Sequence, residues 1–334
     1  LNDMSVLTPE LLQKLRQQLP LFNGGVQSSP ELQSFCHFYG LEFAAKLPHV
    51  EHVAGRVQSG KYTLAVHHWR QPDATANLLL LHGYFDHTGV FSKLIEWGLL
   101  HNCNVLIFDL PGHGLSTGEP AVIDDFSDYS CAIADVLRAV TMPPLPLWVM
   151  AQSTGCAALV DYASKYAWPF AATVLLAPLI RPVRWKSVRA IRFLLTNIAD
   201  SLPRKFSPNS SDHTFQHFLI HDPLQSQRIS LRWVSALQRW LTALRHNDLG
   251  VGPALIIQGD ADATVDWRYN VGVIRQLFPA SHVEYLSGAG HQLANESDTI
   301  RSDYLRLVET WLTESGIGQD NSAKIAGCSN VEPG

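Results

Sequence analysis

No run in this sequence approaches the roughly 18 consecutive apolar residues that a membrane-spanning helix requires. An apolar leader core is also missing near the start. Leu11, Leu12, Leu15 and Leu19 alternate with Gln, Lys and Arg, the pattern of an amphipathic helix rather than a signal peptide. The chain begins at Leu1, which leaves room for a missing natural start or a lost leader. Basic excess is lacking too: 25 Lys and Arg against 30 Asp and Glu give a net charge of −5, and no overall electrostatic case for a nucleic-acid partner. The cysteines (Cys36, Cys103, Cys131, Cys156 and Cys328) are scattered, odd in number and form no CxxC, as expected of reduced thiols in a cytoplasm. No internal repeat is visible. What is present is 334 residues with 46% apolar content, enough for one large domain with a full core, or one domain carrying an insertion.

Residues 1–48 read as a peripheral helical extension, with Leu41 to Lys46 leading into the first strand. The alternation of Val50, Val53 and Val57, then Tyr62, Leu64 and Val66, predicts two antiparallel strands joined at Ser59-Gly60. Leu78 to Leu81 is a continuous apolar run of the kind that is buried on both faces of a sheet. A helix over Val90 to Leu100 follows, then a strand from Val105 to Phe108 and a helix over residues 123–140. Further strands fall at Leu145 to Met150, Ala172 to Leu176, Ala254 to Ile257 and Val283 to Leu286, and an amphipathic helix covers residues 298–315. Strands alternating with helices predict an α/β fold with a mostly parallel central sheet flanked by helices. The rhythm breaks over residues 181–249, which predicts a helical cap inserted between core segments 49–180 and 250–315. The polar tail, 316–334, reads as disordered.

The organising stretch is Ala151-Gln152-Ser153-Thr154-Gly155, between an apolar strand and a small-residue helix. A strand that turns sharply into a helix with Ser at the bend is a nucleophile elbow, although Ser is also a common helix cap. The bend requires small neighbours; Gly155 supplies one and Ala151 the other. It would place the Thr154 N–H at a helix N-terminus, where an oxyanion is stabilised.

A Ser hydroxyl needs a base, and the base an orienting acid. In chain order after Ser153, the Gln258–Asp266 segment offers three acids. Asp262 is the candidate, with Asp260 suited to capping the turn and Asp266 to capping the next helix. His291, in the Gly-rich loop after the last strand, is the candidate base. The second oxyanion donor is expected at the His82-Gly83-Tyr84 turn, from the Tyr84 N–H with Phe85 as rival, while His82 itself reads as structural. Tyr84, Ser153, Asp262 and His291 all follow strands at the carboxyl edge of the sheet, where ligands bind in such folds.

Asp109-x-Pro-Gly-His-Gly-x-Ser116, the His82-Gly83 turn, Gly259-x-x-Asp262 and Gly290-His291 together resemble the α/β-hydrolase superfamily over residues 49–315. Within it they are most similar to the lysophospholipase and monoacylglycerol-lipase branch, also described as serine aminopeptidase-like. The resemblance implies an α/β-hydrolase fold, a Ser153–Asp262–His291 triad and cofactor-independent hydrolysis. The chain departs from the family pattern at Ala151, where Gly is usual, and at Gln152, where His is common. The Ser nucleophile separates it from the epoxide-hydrolase and dehalogenase branches, which use Asp.

Substrate contacts are expected from Phe85, Gln152 and the cap. There Arg181, Arg184, Lys186, Arg189 and Arg192 interleave with Trp185, Val188, Ile191 and Phe193. Arg181, Arg184 and Trp185 are expected to contact substrate, Arg reading a phosphate head group. The same basic amphipathic pattern suits an anionic membrane surface, or an ordinary solvated face over an apolar pocket. His213, His217 and His221 have a spacing that can bind zinc. A polar helix face explains them as well, and no metal or cofactor is expected. The expected activity is that of a serine carboxylic-ester hydrolase on single-acyl lipids, lysophospholipase-like. The alternatives are a monoacylglycerol lipase or general esterase, an aminopeptidase or amidase with the same triad, and a binding module without catalysis.

Overall fold

The computed structural model describes residues 7–25, 28–195 and 198–316. The tail expectation for 316–334, and Cys328 with it, lies outside the described residues apart from the first position. Helices α1 (Pro9–Gln18) and α2 (Pro30–Tyr39) begin where sequence chemistry dictates. Thr8 and Ser29 each accept a backbone N–H of the first turn, at 3.2 and 3.1 Å, and Pro follows at the first helical position. The extension is not peripheral. Leu12 and Leu15 of α1 and Leu32 and Phe35 of α2 join the main core, and Phe35 is fully buried. Leu41 to Lys46 forms a short 3-10 turn (Phe43–Ala45) instead of leading directly into strand.

The expected hairpin is β1 (Glu51–Ser59) and β2 (Tyr62–Arg70), antiparallel with Ser59 opposite Tyr62. Then come β3 (Ala76–Leu81), α3 (Ser92–Leu100), β4 (Cys103–Phe108), α4 (Ser127–Ala139), β5 (Leu147–Gln152), α5 (Thr154–Ala163) and β6 (Ala172–Leu176). The strand before Ser153 therefore starts two residues later than expected and runs through Gln152. The cap follows, with α6 (Trp185–Leu195), β7 (Ser201–Pro203), α7 (His213–His221), β8 (Arg228–Ser230) and α8 (Leu231–Ala243). It is not wholly helical, because β7 and β8 pair antiparallel as a small ribbon. The core resumes with β9 (Ala254–Gly259), α9 (Trp267–Leu277), β10 (Ser281–Leu286) and α10 (Asp298–Glu314).

The sheet has eight strands in the order β1-β2-β4-β3-β5-β6-β9-β10, parallel from β4 onwards. Strands β3, β4, β6 and β9 are buried along their whole length because helices cover both faces. Register brings the strand ends level: Leu81 lies beside Ala151, Gln152 beside Leu176, and Leu286 beside Gly259. The loops carrying Tyr84, Ser153, Asp262 and His291 therefore leave the sheet along one edge. No described helix is long and apolar enough to cross a membrane.

Candidate active site

The turn from β5 into α5 holds Ser153 at φ 52° and ψ −112°, a region that non-glycine residues rarely occupy. Such strain persists only where surrounding structure enforces it. Gly155 is part of that enforcement, since a Cβ there would lie 2.6 Å from the Leu81 carbonyl oxygen. Although Ser153 occupies the cap position of α5, its side chain caps nothing. The hydroxyl instead donates to His291 Nε2 at 2.8 Å, and His291 Nδ1–H donates to Asp262 Oδ2 at 2.7 Å. This separates the nucleophile-elbow reading from the helix-cap reading.

The three acids sort themselves by partner. The second oxygen of Asp262 accepts the Thr264 and Val265 N–H groups at 2.8 and 3.1 Å, which fixes the carboxylate towards the imidazole. Asp260 caps the turn by accepting the Gly288 N–H at 2.7 Å. Asp266 does not cap α9 through its side chain; it binds Arg181 at 2.6 Å. Burial alone would disfavour the charged imidazole, but the Asp262 charge and hydrogen bond, with Asp86 adding to them, raise the His291 pKa above the ordinary histidine value. Burial likewise opposes ionisation of Asp262, and His291 with the two backbone amides outweighs it, so this carboxyl lies below its usual range.

The Gly83–Phe85 turn lies against Ser153. A Cβ built on Gly83 would be 3.3 Å from Ser153 Cβ and 2.8 Å from Asp86 Oδ2, so only glycine fits. Phe85 takes a positive φ of 73° at this turn. The Thr154 N–H opens α5, a position without an intrahelical acceptor. His82 is structural as expected: Nδ1–H donates to the Gly83 carbonyl at 2.8 Å, so Nε2 is the acceptor for the Leu110 N–H at 2.9 Å. Asp109 of the Pro-Gly-His-Gly segment braces the same region by accepting the Thr88 and Leu115 N–H groups, both at 2.7 Å.

Gln152 is fully buried and braces the site. Its amide nitrogen donates to Gln292 Oε1 and, at 3.4 Å, to Asp86 Oδ2, while its oxygen accepts the Ala294 N–H at 2.7 Å. Gln292 Nε2 closes the ring on Asp86 Oδ1 at 2.7 Å, and Asp86 Oδ2 also accepts the Gly83 N–H at 3.2 Å. One polar network thus ties the Gly83–Phe85 turn, the residue before Ser153 and the residue after His291. Sequence reasoning did not find Asp86 or Gln292. The only signal was a pair of polar residues beside motif positions in loops otherwise rich in glycine.

The cap closes over this edge. Trp233 of α8 stacks on Tyr84 with ring centroids 4.0 Å apart, and Tyr84 Oη donates to the Ala121 carbonyl at 2.7 Å. Ser153 and His291 are each only 6% exposed. The cap residues expected to contact substrate have other partners among the described residues. Arg181 is committed to Asp266 and stacks on Tyr269 at 3.5 Å. Arg184 is exposed, and Trp185 lines a cavity of about 250 Å³ with Arg181, Arg189 and Tyr269. None of the described contacts joins Arg181, Arg184 or Trp185 to Ser153 or His291. On α7, His221 Nδ1–H donates to the His217 carbonyl at 2.9 Å, and no group of three potential ligands gathers there or elsewhere among the described residues.

Comparison with known proteins agrees with this architecture. A family model described as serine aminopeptidase, S33, matches residues 72–298. A monoglyceride lipase homolog of Monkeypox virus is 25% identical over 252 residues, 71% of this chain and 89% of that protein. The monoglyceride lipase of Rattus norvegicus is 25% identical over 291 residues, 80% of this chain and 90% of that protein. In three dimensions, a soluble variant of monoglyceride lipase from Saccharomyces cerevisiae superposes with a TM-score of 0.66 at 18% identity, covering 78% of this chain and 94% of that one. The chain is a hydrolase of the α/β-hydrolase fold and belongs to the serine aminopeptidase (S33) family.

Proposed function

We propose that the protein is a serine carboxylic-ester hydrolase that acts through an acyl-enzyme on lipids bearing one acyl chain. The observation that carries this reading is the continuous line from Ser153 Oγ through His291 to Asp262, with Ser153 held in a strained elbow. In the proposed reaction His291 Nε2 takes the hydroxyl proton as Ser153 Oγ attacks the ester carbonyl. The Asp262 charge stabilises the imidazolium so formed, and the oxyanion rests on the Thr154 and Tyr84 N–H groups. Each such donor is typically worth about 3–4 kcal/mol in the transition state. His291 then protonates the leaving alcohol, and water, activated in the same way, releases the acid. Burial of both catalytic side chains under the cap shields these charges from bulk water.

The names of the relatives support a monoacylglycerol as substrate, and a lysophospholipid has the same single-acyl ester. An aminopeptidase would need a carboxylate for the substrate amine. Asp86 is instead occupied by Gln152, Gln292 and Gly83, and Asp222 by His87 and Tyr39. Purified protein is expected to hydrolyse 1-oleoylglycerol, with Ser153→Ala losing about 10⁴- to 10⁶-fold in kcat. If wild type cleaves only a short activated ester, the lipid assignment fails; if Ser153→Ala retains full activity, the mechanism fails.

We also propose that α6 is the surface that meets lipid. It has no buried residue, and Phe193, Leu194 and the nearby Ile198 are 73%, 69% and 75% exposed beside Lys186 and Arg189. Exposed apolar side chains flanked by cations suit the interface of an anionic bilayer. Co-sedimentation with phosphatidylserine-containing vesicles is expected, and Phe193→Asp with Leu194→Asp should abolish it. Equal recovery of the variant and wild type with vesicles would refute this role.

A further inference from the structure

No described contact joins Arg181 or Arg184 to Ser153 or His291, whereas Arg204 lies against Phe85 of the turn beside Ser153. Arg204 follows β7 and continues the ribbon, its N–H donating to the Gln227 carbonyl at 2.9 Å. Its guanidinium lies over the ring of Phe85 at 3.9 Å and that of Phe206 at 4.3 Å. Phe85 is part of the turn that lies against Ser153, so this cation sits one side chain from the oxyanion turn. Nη1 donates to Gln225 Oε1 at 2.8 Å and to the Ser226 carbonyl at 3.3 Å. No ion pair to a carboxylate is found for it among the described residues, in contrast with Arg181 on Asp266 and Arg232 on Glu119 and Asp124. Burial pushes the guanidinium pKa down to about 10, only partly countered by the more distant charges of Asp86 and Asp222.

A cation taken from water without a bonded counter-ion is costly, and two aromatic faces and two neutral acceptors repay only part of that. Because its desolvation is already met in the free protein, such a group attracts an incoming anion more strongly than a solvated surface arginine would. A phosphate on the glycerol of a single-acyl lipid lies a few bonds from the reacting carbonyl. The guanidinium lies 3.9 Å from the ring of Phe85, itself a residue of the turn beside Ser153.

We infer that Arg204 is a specificity-determining residue that binds the head-group phosphate of an anionic lysophospholipid while Ser153 attacks its ester. This rests on the ester-hydrolase reading above and names a substrate class within it. Arg204 touches the substrate through the leaving glycerol phosphate, so its contribution is to substrate choice and not to the chemistry at the carbonyl.

The test compares 1-oleoylglycerol with 1-oleoylglycerol 3-phosphate, both below the concentration at which they aggregate, for wild type, Arg204→Gln and the control Lys205→Gln. Lys205 is the exposed neighbour and carries the same charge change. Arg204→Gln is expected to lose about 10- to 100-fold in kcat/KM on the phosphate ester, the worth of a charge-assisted contact, with the loss mainly in KM. Its rate on the neutral ester should stay within about twofold, which also shows that the variant folds, and Lys205→Gln should move neither. Equal losses on both esters, no loss on either, or an equal effect of Lys205→Gln would overturn the inference while leaving ester hydrolysis standing. Wild type that cleaves the neutral ester but not the phosphate ester would overturn it too. Failure to cleave either lipid would remove the substrate reading and this inference together.

Discussion

Asp262→Asn is expected to lower kcat by about four orders of magnitude while leaving the protein folded. The carboxylate accepts the His291 Nδ1–H at 2.7 Å, which leaves Nε2 free to accept the Ser153 proton. An amide nitrogen at that place would turn the preference round. Nδ1 would become the acceptor, and the Nε2–H would face a hydroxyl it can no longer deprotonate. The loss is thus one of tautomer and charge, not of packing, and the two neighbouring acids provide the contrast. Asp260→Asn weakens one hydrogen bond to Gly288, and Asp266→Asn weakens the Arg181 pair at a site about one-third exposed. Each of these is expected to stay within about tenfold of wild type, as for exposed contacts worth at most about 1 kcal/mol. Steady-state kinetics on one ester for the three variants checks the ordering, and a large loss at Asp260 or Asp266 with activity retained at Asp262 would reassign the acid.

Asp222→Ala is expected to cost about 3–5 kcal/mol of stability, the usual penalty for removing one member of a buried ion pair. Asp222 lies in the cap just after α7. Its Oδ2 accepts His87 Nε2–H at 2.8 Å and its Oδ1 accepts Tyr39 Oη–H at 2.7 Å. The side chains of Asp222 and His87 are both fully buried. Burial by itself would neutralise both groups; each instead stabilises the other's charge, so the Asp222 pKa is lowered and the His87 pKa raised. Tyr39 belongs to α2, His87 to the loop after β3 and Asp222 to the cap, so three segments distant in sequence meet at one carboxylate. Removing it leaves a buried imidazole and a buried phenol without their acceptor. Asp222→Asn keeps an acceptor for Tyr39 and should cost less. Urea unfolding of both variants checks this, and a midpoint unchanged in Asp222→Ala would show that the junction contributes nothing.

These two carboxylates also mark what the sequence could and could not reveal. Asp262 was legible because its cue is local: an apolar strand, a Gly-x-x-Asp turn, and the right place in chain order after Ser153. The hairpin at Gly60, the buried strands and the elbow were legible for the same reason, since period and turn chemistry are written in adjacent residues. Asp222, Asp86, Gln292 and Arg204 carry no local cue. Asp222 meets Tyr39 across 183 positions, and Gln292 meets Asp86 across 206. Such partners are set by how the cap and the N-terminal extension fold back on the core. The sequence places the extension at the periphery because an amphipathic helix looks alike whether its apolar stripe meets the main core or a groove beside it. The cap arginines show the converse case. Arg181 reads as a free cation until α9 brings Asp266 to it, whereas Arg204, unremarked in the sequence, lies over Phe85. The β7–β8 ribbon has no sequence cue, because three-residue strands leave no measurable alternation.

The central claim is that Ser153, activated by His291 and Asp262, is a nucleophile. Its most direct measurement is labelling of the folded protein with a fluorophosphonate probe, followed by mass mapping of the modified peptide. A single adduct on Ser153 is predicted, absent in Ser153→Ala and formed far more slowly in Asp262→Asn. Folded wild-type protein whose Ser153 remains unlabelled, or is labelled no faster than in Asp262→Asn, would contradict the account and leave a hydrolase fold without its chemistry.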